Sequence, residues 1–313
     1  MRNIKPNKKL LDDYILLEEL GSGSFGEVYL AQYKKGGYLA MKVEEKKKSV
    51  ASKVYNEYKI YRKLHKEGYN MGIPKIYDFL ETSEYNILVM QLLGPSLEDI
   101  FILCKRKFKI QTVFKLAEQI MDLMENLHKT GYIHRDIKPH NFLIGRNQNK
   151  SQIYITDFGL SKRYIVDRQH IKYRDGRSLI GTARYASVNM HMGLEPSRRD
   201  EMESIGYMFI YLLKGSLPWQ GMRQHKDKGK GLDKVGEIKM YTSLDVLCNG
   251  LPSCFKDYLS HCKKLKFDET PNYEYLKNLF RTSINKLKIV PQYEWCQEEE
   301  PQIIDQPIRN HDH

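Results

Sequence analysis

The chain has 313 residues, enough for one large domain or two lobes around a sizeable buried core. Its 41% apolar and 29% charged residues are the balance of a soluble globular protein, and its longest strongly apolar run, Ile205 to Leu213, is nine residues, too short to span a bilayer. The formal charge of +12 favours anionic partners without choosing among nucleic acid, acidic lipid and acidic or phosphorylated protein. No apolar stretch follows the basic start Met1-Arg2-Asn3-Ile4-Lys5, so no secretory signal is expected. Cys104, Cys248, Cys254, Cys262 and Cys296 are odd in number and form no C-x-x-C pair, which argues against a disulfide framework or a structural zinc site. The expectation is an intracellular protein of the cytoplasm or nucleus.

In chain order, residues 1–13 read as a loosely held extension rich in Lys and Asn. From Tyr14 the pattern is strand-like: Tyr14-Ile15-Leu16-Leu17 leads into a glycine cluster, and Glu27-Val28-Tyr29-Leu30-Ala31 alternates as a strand does. Lys34-Lys35-Gly36-Gly37 is a hairpin turn signal, with Tyr38 to Val43 as the return strand. One helix, from about Val50 to Lys66, interrupts the sheet, and a strand at Asn86 to Met90 runs up to Gly94-Pro95. Beyond that break, Ser96 to Lys105 and Val113 to Lys129 space apolar residues by three and four, and Glu203 to Lys214 has the composition of a buried helix. The architecture expected is α+β: a small strand-rich lobe at 14–93, a larger helical lobe at 94–295, and a polar tail at 296–313.

Gly21-Ser22-Gly23-Ser24-Phe25-Gly26 fits G-x-G-x-x-G. A dinucleotide site needs a helix directly after the glycines, whereas Glu27 to Leu30 has strand periodicity. Strand, glycine loop and strand suit a flap over a nucleotide's phosphates, with a plain structural hairpin as the alternative. Lys42, on the next strand, is either a solvated residue or an ammonium set against phosphate oxygens. With about 100° of turn per residue, Val54, Ile60, Tyr61 and Leu64 fall within about 60° of Glu57, which puts a carboxylate in the middle of the most apolar helix face. A buried carboxylate is costly unless paired, and Lys42 is its natural partner. The bland alternative is a side chain that curls to the helix edge.

His134-Arg135-Asp136-Ile137-Lys138-Pro139-His140-Asn141 is the most specific stretch. Pro139 denies a helix, so these polar groups are expected on a loop before the strand Phe142-Leu143-Ile144. Asp136 can accept a hydroxyl proton and orient that oxygen, Lys138 can neutralise charge on a transferred phosphoryl group, and Asn141 offers an amide oxygen to a metal. Asp157-Phe158-Gly159 follows a strand at Ile153 to Thr156, and Asp157 is a hard oxygen ligand of the kind magnesium takes. Both tripeptides in this order, downstream of the glycine loop and Lys42, are specific.

The ordered set Gly21–Gly26, Lys42, Glu57, Asp136, Asn141 and Asp157 resembles the eukaryotic protein kinases. More narrowly, Leu93-Gly94-Pro95-Ser96-Leu97-Glu98-Asp99, Gly181-Thr182-Ala183-Arg184-Tyr185-Ala186-Ser187, Ser197-Arg198-Arg199-Asp200 and Gly215-Ser216-Leu217-Pro218-Trp219-Gln220-Gly221 are similar to the casein kinase I group. The resemblance runs from about Tyr14 to Trp295. It implies the bilobal α+β kinase fold, with a small antiparallel-sheet N-lobe carrying one helix and a helical C-lobe. It also implies transfer of the γ-phosphoryl group of ATP, with Mg2+, to Ser or Thr. Asp136, Lys138, Lys42 and Glu57 are the implied catalytic residues, and Asn141 and Asp157 the metal ligands. Met90 is the implied gatekeeper and Gln91 to Leu93 the hinge, while Leu20, Val28, Ala40 and Leu143 sandwich adenine. Ser187-Val188-Asn189 stands where most protein kinases carry Ala-Pro-Glu, and this too is the casein kinase I pattern. His140 stands where an acidic residue is common.

Seven basic residues (Lys162, Arg163, Arg168, Lys172, Arg174, Arg177, Arg184) against Asp167 and Asp175 charge the stretch between Phe158 and Arg184, and Arg223 to Lys234 adds a second basic run. In a kinase the first stretch lines the peptide groove and the family places the second beside it, so Arg184, Lys228 and Lys230 are the expected contacts to a substrate anion. The second run holds an extra residue relative to the family. Acidic or phosphate-primed substrates are expected, with a monomeric chain and no stable nucleic-acid binding. A pseudokinase scaffold would lack one of Lys42, Asp136, Asn141 and Asp157, and all four are present. A nucleic-acid-binding protein is the other alternative, with 22 tyrosines as raw material for stacking.

Overall fold

A computed structural model describes residues 9–11, 13–23, 26–46, 51–221 and 233–296. The expectations for Ser24, Phe25, Lys228 and Lys230, for the first eight residues and for the tail beyond Cys296 lie outside the described residues. In chain order the main elements begin with β1 (Lys9–Leu11), β2 (Tyr14–Gly23), β3 (Gly26–Tyr33), β4 (Tyr38–Glu45), α1 (Lys53–Lys66), β5 (Ile76–Glu81) and β6 (Tyr85–Gln91). They continue with α2 (Leu97–Leu103), α3 (Ile110–Lys129), β7 (Tyr132–Ile133), β8 (Phe142–Ile144), β9 (Ile153–Ile155), β10 (Lys162–Arg163), β11 (Ile165–Val166) and β12 (Gln169–His170). The last are α4 (Val188–His191), α5 (Arg198–Lys214), α6 (Lys234–Tyr241), α7 (Leu244–Leu247), α8 (Ser253–Lys264) and α9 (Tyr273–Leu287).

The chain divides into two compact units. The described residues up to Pro95 form the first together with Leu143–Gly159; Ser96–Phe142 and the described residues from Leu160 onward form the second. The first unit is built on a six-stranded antiparallel sheet of order β1-β2-β3-β4-β6-β5. Successive side chains of a strand point to opposite faces. One face therefore buries Leu16, Tyr29, Ala31, Met41, Val43, Ile87 and Val89 as a core. The register sets Val28 and Leu88 opposite Lys42, and Met90 opposite Ala40, so these five residues share the other face. Helix α1 begins at Lys53, not Val50, because Ser52 caps it by accepting from Tyr55 N. It buries Val54, Glu57, Ile60, Tyr61 and Leu64.

Two strands depart from the expectation. Lys9–Leu11 pairs with β2 where a loose extension was expected, because backbone ladder bonds on an edge do not depend on an apolar pattern. Strand β5 pairs with β6, but it buries no side chain fully and so lacks strong alternation.

The second unit is helical. Ser96 and Asp99 form a capping box on α2, and Ser197 with Asp200 does the same on α5, which therefore starts five residues before the periodic run suggests. Helix α5 is buried on almost every side, including Asp200, Glu201 and Glu203, so it shows no amphipathic stripe. It packs on α8, while α3 packs on α9, and Phe209, Phe255, Phe114 and Phe280 interlock between them. The stretch expected as pure loop at 134–141 contains one 3-10 turn, Pro139–Asn141. Proline is tolerated at its first position, where its missing N–H would have had no partner. Among the described residues no helix is long and apolar enough to cross a membrane.

Candidate active site

In the first unit, β2 and β3 meet at the glycine cluster, with Gly23 opposite Gly26. Gly26 has φ +130°, and a Cβ there would lie 2.3 Å from Val43 O, so only glycine lets the turn lie this close to β4. Gly21 and Gly23 have open space where a Cβ would stand.

Lys42 is buried, and its Nζ donates to Glu57 Oε2 and to Asp157 Oδ1, both at 2.7 Å. Burial works against the ammonium, but the two carboxylates outweigh it and hold Lys42 protonated well above the usual lysine range. Burial pushes Glu57, 1% exposed, toward a raised pKa, against the attraction of Lys42. Tyr61, one turn after Glu57, is pushed well up by burial and by the Glu57 and Asp157 charges, and its ring meets Phe158 edge-on at 4.9 Å. Asp157 has φ +67°, a left-handed conformation that a non-glycine residue adopts only when its surroundings hold it there. Met90, Ala40 and Leu93 are buried, while Leu20, Val28 and Leu143 are half-buried. Gln91 sits at the end of β6, where its N donates to Lys75 O and its side chain accepts from Lys75 N.

In the second unit, Asp136 is 4% exposed and heavily contacted. Its Oδ2 pairs with Lys138 Nζ at 2.7 Å and its Oδ1 accepts from Thr182 Oγ1 at 2.8 Å. Asn141 Nδ2 donates to Asp136 O at 2.8 Å and lies 3.4 Å from Oδ2, which locks the loop on itself and aims the amide oxygen elsewhere. Arg135, at φ +69°, is held on both sides: its backbone N donates to Glu201 Oε1 and its Nε to Leu160 O. Gly181, at φ +83°, lies so close that a Cβ would come within 2.4 Å of Arg135 O. The loop and the segment carrying Thr182 are thus fitted backbone to backbone. His140 is exposed on the turn.

The basic stretch after Phe158 is less open than its charge count implies. Glu195, 3% exposed, takes Lys162 Nζ on Oε1 at 2.6 Å and Arg177 Nε on Oε2 at 3.1 Å. Arg184 is half-buried, lies over the Tyr185 and Tyr211 rings at 5.7 and 5.3 Å, and donates from one Nη to Tyr185 Oη at 3.4 Å. Thr182, Glu195 and Glu201 were not singled out from the sequence. Their roles depend on contacts 18 to 66 residues away, and only the position of Thr182 in the string Gly181 to Ser187 hinted at one.

The donor chemistry fits a nucleotide–magnesium substrate. Magnesium is held by one or two carboxylate or amide oxygens together with phosphate oxygens, and no three His, Cys, Asp or Glu side chains converge as a metal cage among the described residues. Asp157 in the first unit and Asn141 in the second are oxygen donors of that kind.

The family model for the protein kinase domain matches residues 14–276, most of the chain. The chain belongs to the protein kinase family, and its strand-rich and helix-rich units are the two lobes of that α+β fold. Membership makes it an ATP-dependent phosphotransferase acting on protein.

Proposed function

We propose that the protein is an active serine/threonine kinase of the casein kinase I type, which transfers the γ-phosphoryl group of Mg-ATP to acidic or phosphate-primed protein substrates. The observation that carries the reading is the Asp136 carboxylate held between Lys138 and Thr182. So held, Asp136 receives the acceptor hydroxyl's proton and turns its oxygen toward the phosphorus, while Lys138 neutralises charge that builds on the transferred group. Lys42, fixed by Glu57, aligns the phosphates, and residues 21–26 lie over them. Leu20, Val28, Ala40, Met90, Leu93 and Leu143 line the adenine site, with Gln91 at the hinge. Asp157 and Asn141 are the residues that would hold magnesium, which would supply neutralisation of phosphate charge. The lobe limits follow the same reading, 14–93 for nucleotide and 94–295 for peptide, in a monomeric intracellular enzyme.

The substrate class rests on charge and on the casein kinase I strings. Arg184 supplies the bidentate grip that suits a phosphate, with Lys228 and Lys230 as further anion contacts. A phosphorylated or acidic residue three positions before the acceptor is the expected determinant. A peptide library with labelled ATP and magnesium tests this: enrichment of acids or phosphoserine before the acceptor supports the assignment, and enrichment of Arg or Lys there overturns it.

A further inference from the structure

Helix α6 carries a lysine in an unusual place. Lys239 is 1% exposed, and among the described residues no carboxylate is paired with its ammonium. Nζ donates instead to Ala183 O at 2.7 Å and to Ala186 O at 2.6 Å, and lies 3.1 Å from His191 Nε2. Two carbonyl oxygens and, in the Nδ1–H tautomer, the His191 Nε2 lone pair match the three hydrogens of an ammonium. The rings of Tyr207 and Trp219, centred 5.2 and 5.1 Å away, add two π faces toward the charge. The indole Nε1 of Trp219 donates to Arg184 O at 2.7 Å. Tyr185 N and Ala186 N both donate to Thr182 O. Every carbonyl from Thr182 to Ala186 except that of Tyr185 therefore has a named donor, three of them from buried side chains. The turn so fixed bears Thr182, whose hydroxyl meets Asp136, and Arg184, which stacks on Tyr185 and Tyr211.

The surroundings make the charge state consequential. His191 has Nδ1 3.0 Å from Asp233 Oδ1, and its Nε2 lies 3.1 Å from both Lys239 Nζ and Ala183 O: with Nδ1–H toward Asp233 the Nε2 lone pair accepts from the ammonium, and with the proton on Nε2 it donates to Ala183 O. Burial, with the Lys239 charge added, pushes His191 down from its ordinary value. Burial likewise pulls Lys239 down to about 7, opposed by Glu203 on α5 and Asp233 before α6, and aided by Lys263 on α8. A neutral amine keeps only two hydrogens and no charge, so losing the proton turns charge-assisted bonds to Ala183 O and Ala186 O into weaker neutral ones and removes the attraction to the two rings.

We propose that Lys239 is a positioning residue for the peptide-substrate segment. Its ammonium pins the carbonyls of Ala183 and Ala186, and the turn so held keeps Thr182 on Asp136 and Arg184 on its tyrosines. The kinetic consequences rest on the function proposed above; the consequences for backbone protection do not.

The test is Lys239→Met in the full chain, which keeps length and apolar bulk and removes every donor. Hydrogen exchange across residues 181–187 should quicken at least ~10-fold while exchange in α3 stays as in the wild type. The KM for peptide should rise at least ~10-fold, with the KM for ATP within about twofold. In the wild type, kcat/KM for peptide should fall between about pH 6 and 8.5, and the Met variant should lack that limb. Wild-type exchange across 181–187 together with a wild-type peptide KM in the variant would overturn the proposal. Where the Met variant does not fold, Lys239→Gln is read by the same two criteria. If the wild type transfers no phosphate at all, the functional reading fails, and exchange across 181–187 alone decides the role of Lys239.

Discussion

Replacing Lys42 by Met should damage the protein in two separable ways. Lys42 is the shared counter-ion of Glu57 and Asp157, each at 2.7 Å, and Glu57 is buried. Removing one partner of a buried pair typically costs about 3–5 kcal/mol. Two features favour the lower end: the Asp157 side chain is 24% exposed and can be hydrated, and Glu57 can take up a proton. A loss of about 3 kcal/mol near neutral pH is therefore expected in denaturant unfolding followed by circular dichroism. Burial already raises the Glu57 pKa, and without Lys42 the rise must grow. A carboxyl whose folded-state pKa lies above its unfolded value contributes stability that is present below the unfolded pKa and lost as pH rises through the folded one. Lys42→Met should thus be less destabilised at about pH 5 than at about pH 8. Adding Glu57→Gln removes the stranded charge and should return at least about 1 kcal/mol of the loss. Phosphotransfer should stay at least ~100-fold down in both variants, since neither holds the phosphates. A double variant no more stable than the single one would refute the coupling of Lys42 to Glu57. A double variant that regained activity would refute the role given to the lysine.

Three further outcomes are expected. Thr182→Val removes the hydroxyl on Asp136 Oδ1 and should lower kcat about tenfold in peptide assays, with ATP binding measured by titration unchanged. Glu195→Gln releases Lys162 and Arg177, and because both cations are about a third or more exposed the loss should be about 1 kcal/mol. Burial works to raise the Glu195 pKa, but Lys162 and Arg177 hold it below the ordinary value. Its contribution is therefore present above that value and lost as pH falls, so the two unfolding curves should converge below about pH 4. Protein treated with phosphatase should keep its activity, because Glu195 already supplies the segment with a buried anion; strict dependence on prior phosphorylation would contradict this.

The sequence was most legible where one residue type has one chemical excuse for its position. Glu57 in the middle of an apolar helix face demanded a cation, and Lys42 is there. The strands and helices with strong periodicity, β3, β4, β6, α1 and α3, fall within a few residues of where alternation and three-four spacing put them. The edge strands β1 and β5 were not readable, because ladder bonds to a neighbour leave little trace in side-chain pattern. The start of α5 was hidden because a helix buried all round has no stripe, and Ser197 with Asp200 sets its end instead. The supports around Asp136 were also hidden. Thr182, Glu195, Glu201 and Lys239 act on residues far away in the chain, and their types alone would fit any polar surface. The charge count of the basic stretch overstated its open cations, since Glu195 takes up two of them.

The most direct test of the account is transfer of label from γ-labelled ATP, with magnesium, to a peptide bearing one acceptor Ser and a phosphoserine three residues before it. Wild type and Asp136→Asn are run side by side, each also with an unprimed copy of the peptide. The account predicts phosphoserine as the labelled product, a clear preference for the primed peptide, and a turnover at least ~1,000-fold lower in Asp136→Asn with ATP binding retained. Comparable label transfer by Asp136→Asn, or ATP binding without any transfer by the wild type, would contradict it.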